Sequence, residues 1–168
     1  MKGFIVCGYP GVGKSAISGL ENCIDLESSI FSHDQHGIYL ADYIWVPLYC
    51  TVALNLADQG YTVLTSTHDS VLKWFSDHYE YAKEMIVQDI VIFAPYSFMK
   101  SEWIDRLKWR YRNQPTYKNK RAYEFVLKNF DKIDDLESYG LPVYHPVEIP
   151  YDLEDYIDVF RACNNVEE

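Results

Sequence analysis

Gly8-Tyr9-Pro10-Gly11-Val12-Gly13-Lys14-Ser15 constrains this chain more than any other stretch. It matches G-x-x-x-x-G-K-[ST] at every position. Glycines at those places let the backbone curl until successive N–H groups point inward, where they cradle phosphate oxygens. Phe4-Ile5-Val6-Cys7, just before it, reads as a buried strand. Ala16-Ile17-Ser18-Gly19-Leu20, just after it, can open a helix whose N-terminus adds partial positive charge. Glycine makes up about 7% of average sequences, so a chance match in a chain this long is on the order of one in a hundred. The expected ATP-binding set is therefore Gly8, Tyr9, Pro10, Gly11, Val12, Gly13, Lys14, Ser15 and Ala16. Lys14 is expected to reach the β and γ phosphates, and the Ser15 hydroxyl to hold Mg²⁺.

The 168 residues fit one domain with a real core, and 48% apolar content excludes a disordered chain. No apolar run is long enough to cross a bilayer, and a first strand beginning next to Met1 leaves no room for a signal peptide. Cys7, Cys23, Cys50 and Cys163 form no C-x-x-C pair. They read as buried thiols, which predicts a cytoplasmic protein with no membrane partner. The net charge of −10 argues against non-specific nucleic-acid binding, but it is unevenly placed. Residues 100–122 carry eight basic residues (Lys100, Arg106, Lys108, Arg110, Arg112, Lys118, Lys120, Arg121) against Glu102 and Asp105. That segment is +6 and the remainder −16. A concentrated cationic segment on an acidic body reads as a local anion clamp.

Apolar periodicity predicts strands at 23–29, 61–66, 89–94 and 143–149 after the first. Pro146 would place the last at a sheet edge. Helices are predicted over 38–58, 70–81, 101–112, 121–139 and 152–163, with residues 31–37 as a polar connector. In the first of these, Trp45, Leu48, Tyr49, Val52 and Leu56 fall near one face, and Pro47 sits early or kinks it. The next helix would be capped by Asp69 or Ser70, and Gly140 would end the one over 121–139. Residues 164–168 read as a tail. Strands alternating with helices predict an α/β fold, a parallel sheet of about five strands with helices on both faces.

Asp25-Leu26-Glu27 closes the second strand, and residues two apart on a strand point the same way. Both carboxylates can face a ligand there, and one beside an attacking hydroxyl can orient it and take its proton. Arg106 and Arg110 lie four apart, on one helix face, where two guanidinium groups can clamp transferring phosphates. On the loop, the Asp25-Leu26-Glu27 pair and this arginine run, the chain resembles the small P-loop kinases. These are the nucleoside, nucleotide and shikimate or gluconate kinase group, with polynucleotide-kinase-like relatives. The resemblance implies the P-loop NTPase fold over residues 1–168, with 100–122 as a helical lid. It implies ATP and Mg²⁺ as cofactors, with Ser15 and Asp25 at the metal and Glu27 near the acceptor. Lys14, Asp25, Glu27, Arg106 and Arg110 are then the expected catalytic set. Thr65-Ser66-Thr67-His68-Asp69 resembles the hydroxyl-rich strand end where polynucleotide-kinase-like relatives bind acceptors. With Arg112 from the lid, that makes Glu27, Ser66, Thr67, His68 and Arg112 the expected substrate-binding residues. Kinases of this kind also occur in phage genomes. No carboxylate follows the third strand until Asp69, which argues against a hydrolysis motor.

These features predict transfer of the γ-phosphoryl group of ATP to a small acceptor, with a nucleoside or nucleotide first. A hydroxyl carried on nucleic acid comes second. A nucleotide-binding switch with no acceptor is the alternative from another class. His33 and His36 read as surface histidines beside the acceptor region, and His145 receives no role.

Overall fold

Phe4 to Cys7 has no polar side chain to spare for either face, so this strand has to lie inside a sheet covered on both sides. The computed structural model, which describes residues 1–17, 19–149 and 151–164, places it there. β1 (Phe4–Gly8) is the central strand and is buried along its whole length. With β2 (Cys23–Asp25), β3 (Thr62–Ser66), β4 (Asp89–Phe93) and β5 (Val143–Tyr144) it forms a five-stranded sheet in the order β2-β3-β1-β4-β5. All pairings are parallel, and Gly8 stands level with Ser66 on one side and Phe93 on the other. The carboxyl ends of three strands therefore finish in one row. β1 and β4 send the chain to opposite sides of the sheet, which opens a crevice at those ends.

Seven α-helices accompany the sheet among the described residues: α1 (Lys14–Ile17), α2 (Ser29–Ser32), α3 (Asp42–Asp58), α4 (Asp69–Met85), α5 (Lys100–Asn113), α6 (Tyr117–Asn129) and α7 (Leu153–Asn164). No helix among the described residues is long and apolar enough to cross a membrane. Cys7, Cys23 and Cys50 are buried free thiols. Ser18, which the sequence puts in the helix after the loop, and residues 165–168 of the tail lie outside the described residues, as does the side chain of Cys163.

Several boundaries differ from the sequence expectation, each for a local reason. The helix after the loop is a single turn, α1, so the partial charge of a long helix N-terminus is not on offer there. β2 stops at Asp25, and the chain turns into α2 where a polar connector was expected. In α3 the buried residues are Trp45, Val46, Tyr49, Cys50, Ala53, Leu54 and Ala57, whereas Leu48 is exposed. Pro47 is exposed on the solvent face, where the carbonyl it leaves unpaired can reach water, and the helix runs through it. Neither Asp69 nor Ser70 caps α4. Asp69 instead accepts a hydrogen bond from the Tyr139 hydroxyl at 2.7 Å. α6 begins four residues earlier than expected because Thr116 Oγ accepts from the Asn119 N–H at 3.1 Å. It gives way at Phe130 to a 3₁₀ run, Phe130–Tyr139, in which the buried Phe130, Ile133 and Leu136 recur every three residues, the 3₁₀ period. Gly140, left-handed at φ 74°, ends that run. β5 keeps two residues of the expected seven and lies at the sheet edge.

Candidate functional site

The loop between β1 and α1 is pinned from three sides. The Tyr9 N–H donates to the Phe93 carbonyl at 2.9 Å, the Trp103 indole to the Pro10 carbonyl at 2.9 Å, and the Tyr151 hydroxyl to the Val12 carbonyl at 3.0 Å. Gly11 has φ 93°, and a Cβ there would meet Leu107 Cδ2 at 3.0 Å and Trp103 Nε1 at 3.1 Å. Gly13 has φ 100°. Both positions need glycine to let the loop curl beneath α5.

Over the loop lies a cleft of about 300 Å³. Its floor is Gly8, Pro10, Gly11, Val12, Gly13, Lys14 and Ser15, and its walls include Asp25, Glu27, Ser66, Thr67, His68, Arg110, Lys118, Arg121 and Phe125. The α5–α6 hairpin, which spans the expected lid segment, thus roofs the loop. Most of the expected site converges here, from segments far apart in sequence.

The charges in the cleft are interdependent. Lys14 turns back on its own loop and donates to the Gly8 carbonyl at 2.6 Å. Burial lowers its pKa to about 8, with Asp25 and Glu27 opposing and Lys118 adding to the shift. Burial raises the Asp25 carboxyl above its ordinary range, against the pull of Lys14, Lys118 and a Ser15 hydrogen bond. At Glu27 burial also pushes upward, but the hydrogen bond and charge of Lys118 outweigh it and hold the carboxyl low. Lys118 Nζ lies 2.8 Å from Glu27 Oε2 and 3.3 Å from Ser15 Oγ. Hydroxyl and paired carboxylates are hard oxygen donors suited to a cation such as Mg²⁺. Among the described residues no group of three or more His, Cys, Asp or Glu could hold a metal unaided. A divalent ion here would thus need phosphate oxygens and water to complete its shell.

No protein-family model matches this chain, and no curated protein matches it either. The chemistry of the cleft is what remains to be read.

Four expected site residues stand elsewhere. Arg106 does not line the cleft. Its guanidinium centre lies 5.4 Å from the Trp103 ring and 5.2 Å from the Tyr151 ring, a cation–π contact with two rings that stack on each other, one turn of α5 away from Arg110. Arg112 is exposed and also outside the lining. Ala16 is outside it too, its N–H already taken by the Gly13 carbonyl at 3.0 Å. Tyr9 is absent from that lining and borders a second cavity of about 190 Å³ with Thr67, His68, Asp69, Phe125, Asn129 and Lys132. Its hydroxyl is buried with no hydrogen-bond partner. The two cavities have Thr67, His68 and Phe125 in common.

The sequence placed Lys118 only among the basic residues of the expected lid, and Tyr49 only on the apolar face of the helix over 38–58. The Tyr49 hydroxyl accepts from the Ser66 N–H at 3.0 Å and donates to the Leu26 carbonyl at 2.8 Å. It thereby ties the ends of β2 and β3 together behind the acidic pair. In sequence it is one more apolar-face aromatic. For Lys118 the available signal was its place just after the capping residue Thr116, which fixes where the side chain starts.

Proposed function

We propose that this chain is a kinase of the P-loop type, transferring the γ-phosphoryl group of ATP to a small acceptor, a nucleoside or nucleotide. The observation that carries the reading is the convergence of Lys14, Ser15, Asp25, Glu27, Arg110 and Lys118 on one cleft above a glycine loop. A binding switch needs the loop. It has no use for paired carboxylates opposite it and a cationic roof above it. The central β1 with β3 and β4 as neighbours, and the loop at its carboxyl end, support the P-loop fold.

In this mechanism the loop N–H groups and Lys14 bind the β and γ phosphates. Ser15 and Asp25 would hold Mg²⁺, which would neutralise phosphate charge. Glu27 orients the acceptor O–H and takes its proton as the acceptor oxygen bonds to the γ-phosphorus and the bond to the bridging β–γ oxygen breaks. ADP leaves with the electron pair of that bond. Arg110, half-buried and with its pKa lowered by burial and by Arg106, neutralises the charge spread over the migrating group. The acceptor body lies toward Ser66, Thr67 and His68. The second cavity beyond them, with the unpartnered Tyr9 hydroxyl, has room for its non-reacting part.

A cleft of about 300 Å³ under the hairpin favours a small acceptor over a hydroxyl at a polynucleotide end, which is the second reading. A screen with γ-labelled ATP over nucleosides, nucleotides, sugars, shikimate-like acids and oligonucleotides tests both. Label should pass to a nucleoside or nucleotide with wild type, fall by on the order of 10²-fold or more with Glu27→Gln, and not pass at all with Lys14→Ala. Transfer that survives Lys14→Ala unchanged sinks the assignment of the loop.

A further inference from the structure

Two lysines enter the cleft, one from its floor and one from its roof. Lys14 belongs to the loop itself and donates to the Gly8 carbonyl. Lys118 comes from the start of α6 and sets its ammonium between Ser15 Oγ and Glu27 Oε2, at 3.3 Å and 2.8 Å. Asp25 faces the same spot, hydrogen-bonded by Ser15 and within the field of both lysines. Ser15 and Asp25 are the hydroxyl and carboxylate that would suit a hard divalent cation, and a compact ammonium stands beside them. A cation on Ser15 and Asp25 would lie within about 4 Å of that ammonium, and like charges so close repel strongly in a partly desolvated cleft.

The backbone carrying Lys118 is fixed. Thr116 caps α6, and the buried Asn119 amide donates to the Gln114 carbonyl at 2.8 Å, closing the turn between α5 and α6. The Lys118 side chain, by contrast, is 57% exposed. Its four-carbon stem can swing while the helix stays in place. What it swings away from is a contact that joins the roof to the acidic wall, 91 residues apart in sequence.

We propose that Lys118 is a placeholder for the divalent cation. Without nucleotide its ammonium stands at Ser15 Oγ, beside where the cation would sit, and latches α6 to Glu27. When metal and nucleotide enter, it gives up Ser15 and Glu27 and turns to the phosphate oxygens, beside Lys14 and Arg110. This rests on the phosphate-cleft reading above. It adds an order of events: Glu27 is engaged by Lys118 until nucleotide arrives, and only then is it free to receive an acceptor proton. The device keeps the carboxylates paired while the cleft is empty, and it withholds the base from acceptor bound alone.

Lys118→Met removes the charge and keeps most of the stem, and the exposed position makes loss of fold an unlikely complication that circular dichroism checks. Mn²⁺ binding to the nucleotide-free protein is read by electron paramagnetic resonance, and ATP binding in excess chelator by calorimetry. The variant should bind Mn²⁺ about tenfold more tightly and metal-free ATP about tenfold more weakly, the two shifts having opposite sign because one charge repels metal and attracts phosphate. Lys118→Arg, which keeps the charge, should stay near wild type in both. A merely structural role would not move the two affinities in opposite directions. Mn²⁺ affinity that stays the same or falls in Lys118→Met, including no detectable Mn²⁺ binding to either protein, overturns the proposal. So does metal-free ATP binding that the substitution leaves unchanged. A wild type that binds neither ATP nor its magnesium complex refutes the phosphate-cleft reading instead, and the Mn²⁺ comparison, which needs no nucleotide, still judges Lys118.

Discussion

A lysine drawn partly out of water carries its charge at a cost, and Lys14 makes that cost measurable. Its pKa falls from 10.5 to about 8, chiefly through burial. Below pH 8 both folded and unfolded chains carry the proton, and the folded one bears the desolvated charge. Between pH 8 and 10.5 the folded chain releases the proton while the unfolded chain keeps it, so rising pH favours folding. Above 10.5 the penalty is gone. Lys14→Met should therefore be more stable than wild type at pH 7, by on the order of 1–3 kcal/mol, with the gap closing between pH 8 and 10.5. Denaturant unfolding of both proteins across that range checks it. Added ATP should reverse the order at pH 7, since phosphate compensates the Lys14 charge in wild type only. A variant no more stable than wild type at pH 7 means that the loop tolerates the charge without ligand.

At the scale of elements, α5 divides its arginines between two tasks that their spacing alone cannot separate. Arg106 lies over the stacked rings of Trp103 and Tyr151, and both of those side chains hold loop carbonyls. Arg110, one turn on, faces the cleft. Arg110→Ala should lower turnover by on the order of 10²-fold with little change in Tm, as for other lost transition-state donors. Arg106→Ala should lower Tm by several degrees, consistent with a loss of about 1–2 kcal/mol of partly desolvated cation–π contact, and should act on turnover only through the loop it props. Thermal scans beside initial rates separate the two, and equal kinetic losses with no Tm change in either variant would restore the paired clamp. Four-residue spacing revealed that both arginines share a helix face, but what that face meets is set by the packing of α7's approach, where Tyr151 lies. For the same reason the loop was legible, being local and steric, and so were Asp25 and Glu27, a strand-end pair. Lys118 was not, because its partner Glu27 lies 91 residues away and only the fold brings them together. The 3₁₀ run after α6 was misread as helix because its three-residue apolar repeat mimics the i, i+3 half of a helical stripe. Alternating strands and helices gave away the parallel sheet, while the insertion of β3 between β2 and β1 is a matter of pairing that no single segment encodes.

At the scale of the whole molecule, the contrast between a +6 segment and a −16 remainder raises the question of a nucleic-acid track. The structure distributes that segment's charge. Arg110, Lys118 and Arg121 turn into the cleft, and Arg106 lies over two aromatic rings. Lys100 pairs with Asp131 at 2.6 Å and Lys120 approaches Glu124 at 3.8 Å. That leaves Arg112, exposed on the hairpin, and Lys108, half-buried and outside the cleft lining, with Lys120 only loosely held. Three such cations on an acidic body cannot hold a long polyanion, because the surrounding field repels it. A single-stranded oligonucleotide should accordingly bind weakly without ATP. Its log affinity should fall against log salt with a slope no steeper than about −2, the release from roughly three phosphates. ATP should compete with whatever binding there is, since the strongest cations face the cleft. Fluorescence anisotropy across a salt series measures both. Tight binding with a slope of about −3 or steeper, insensitive to ATP and abolished by Arg112→Ala with Lys120→Ala, would instead make the outer face of the hairpin a nucleic-acid surface and move the polynucleotide hydroxyl to first place as acceptor.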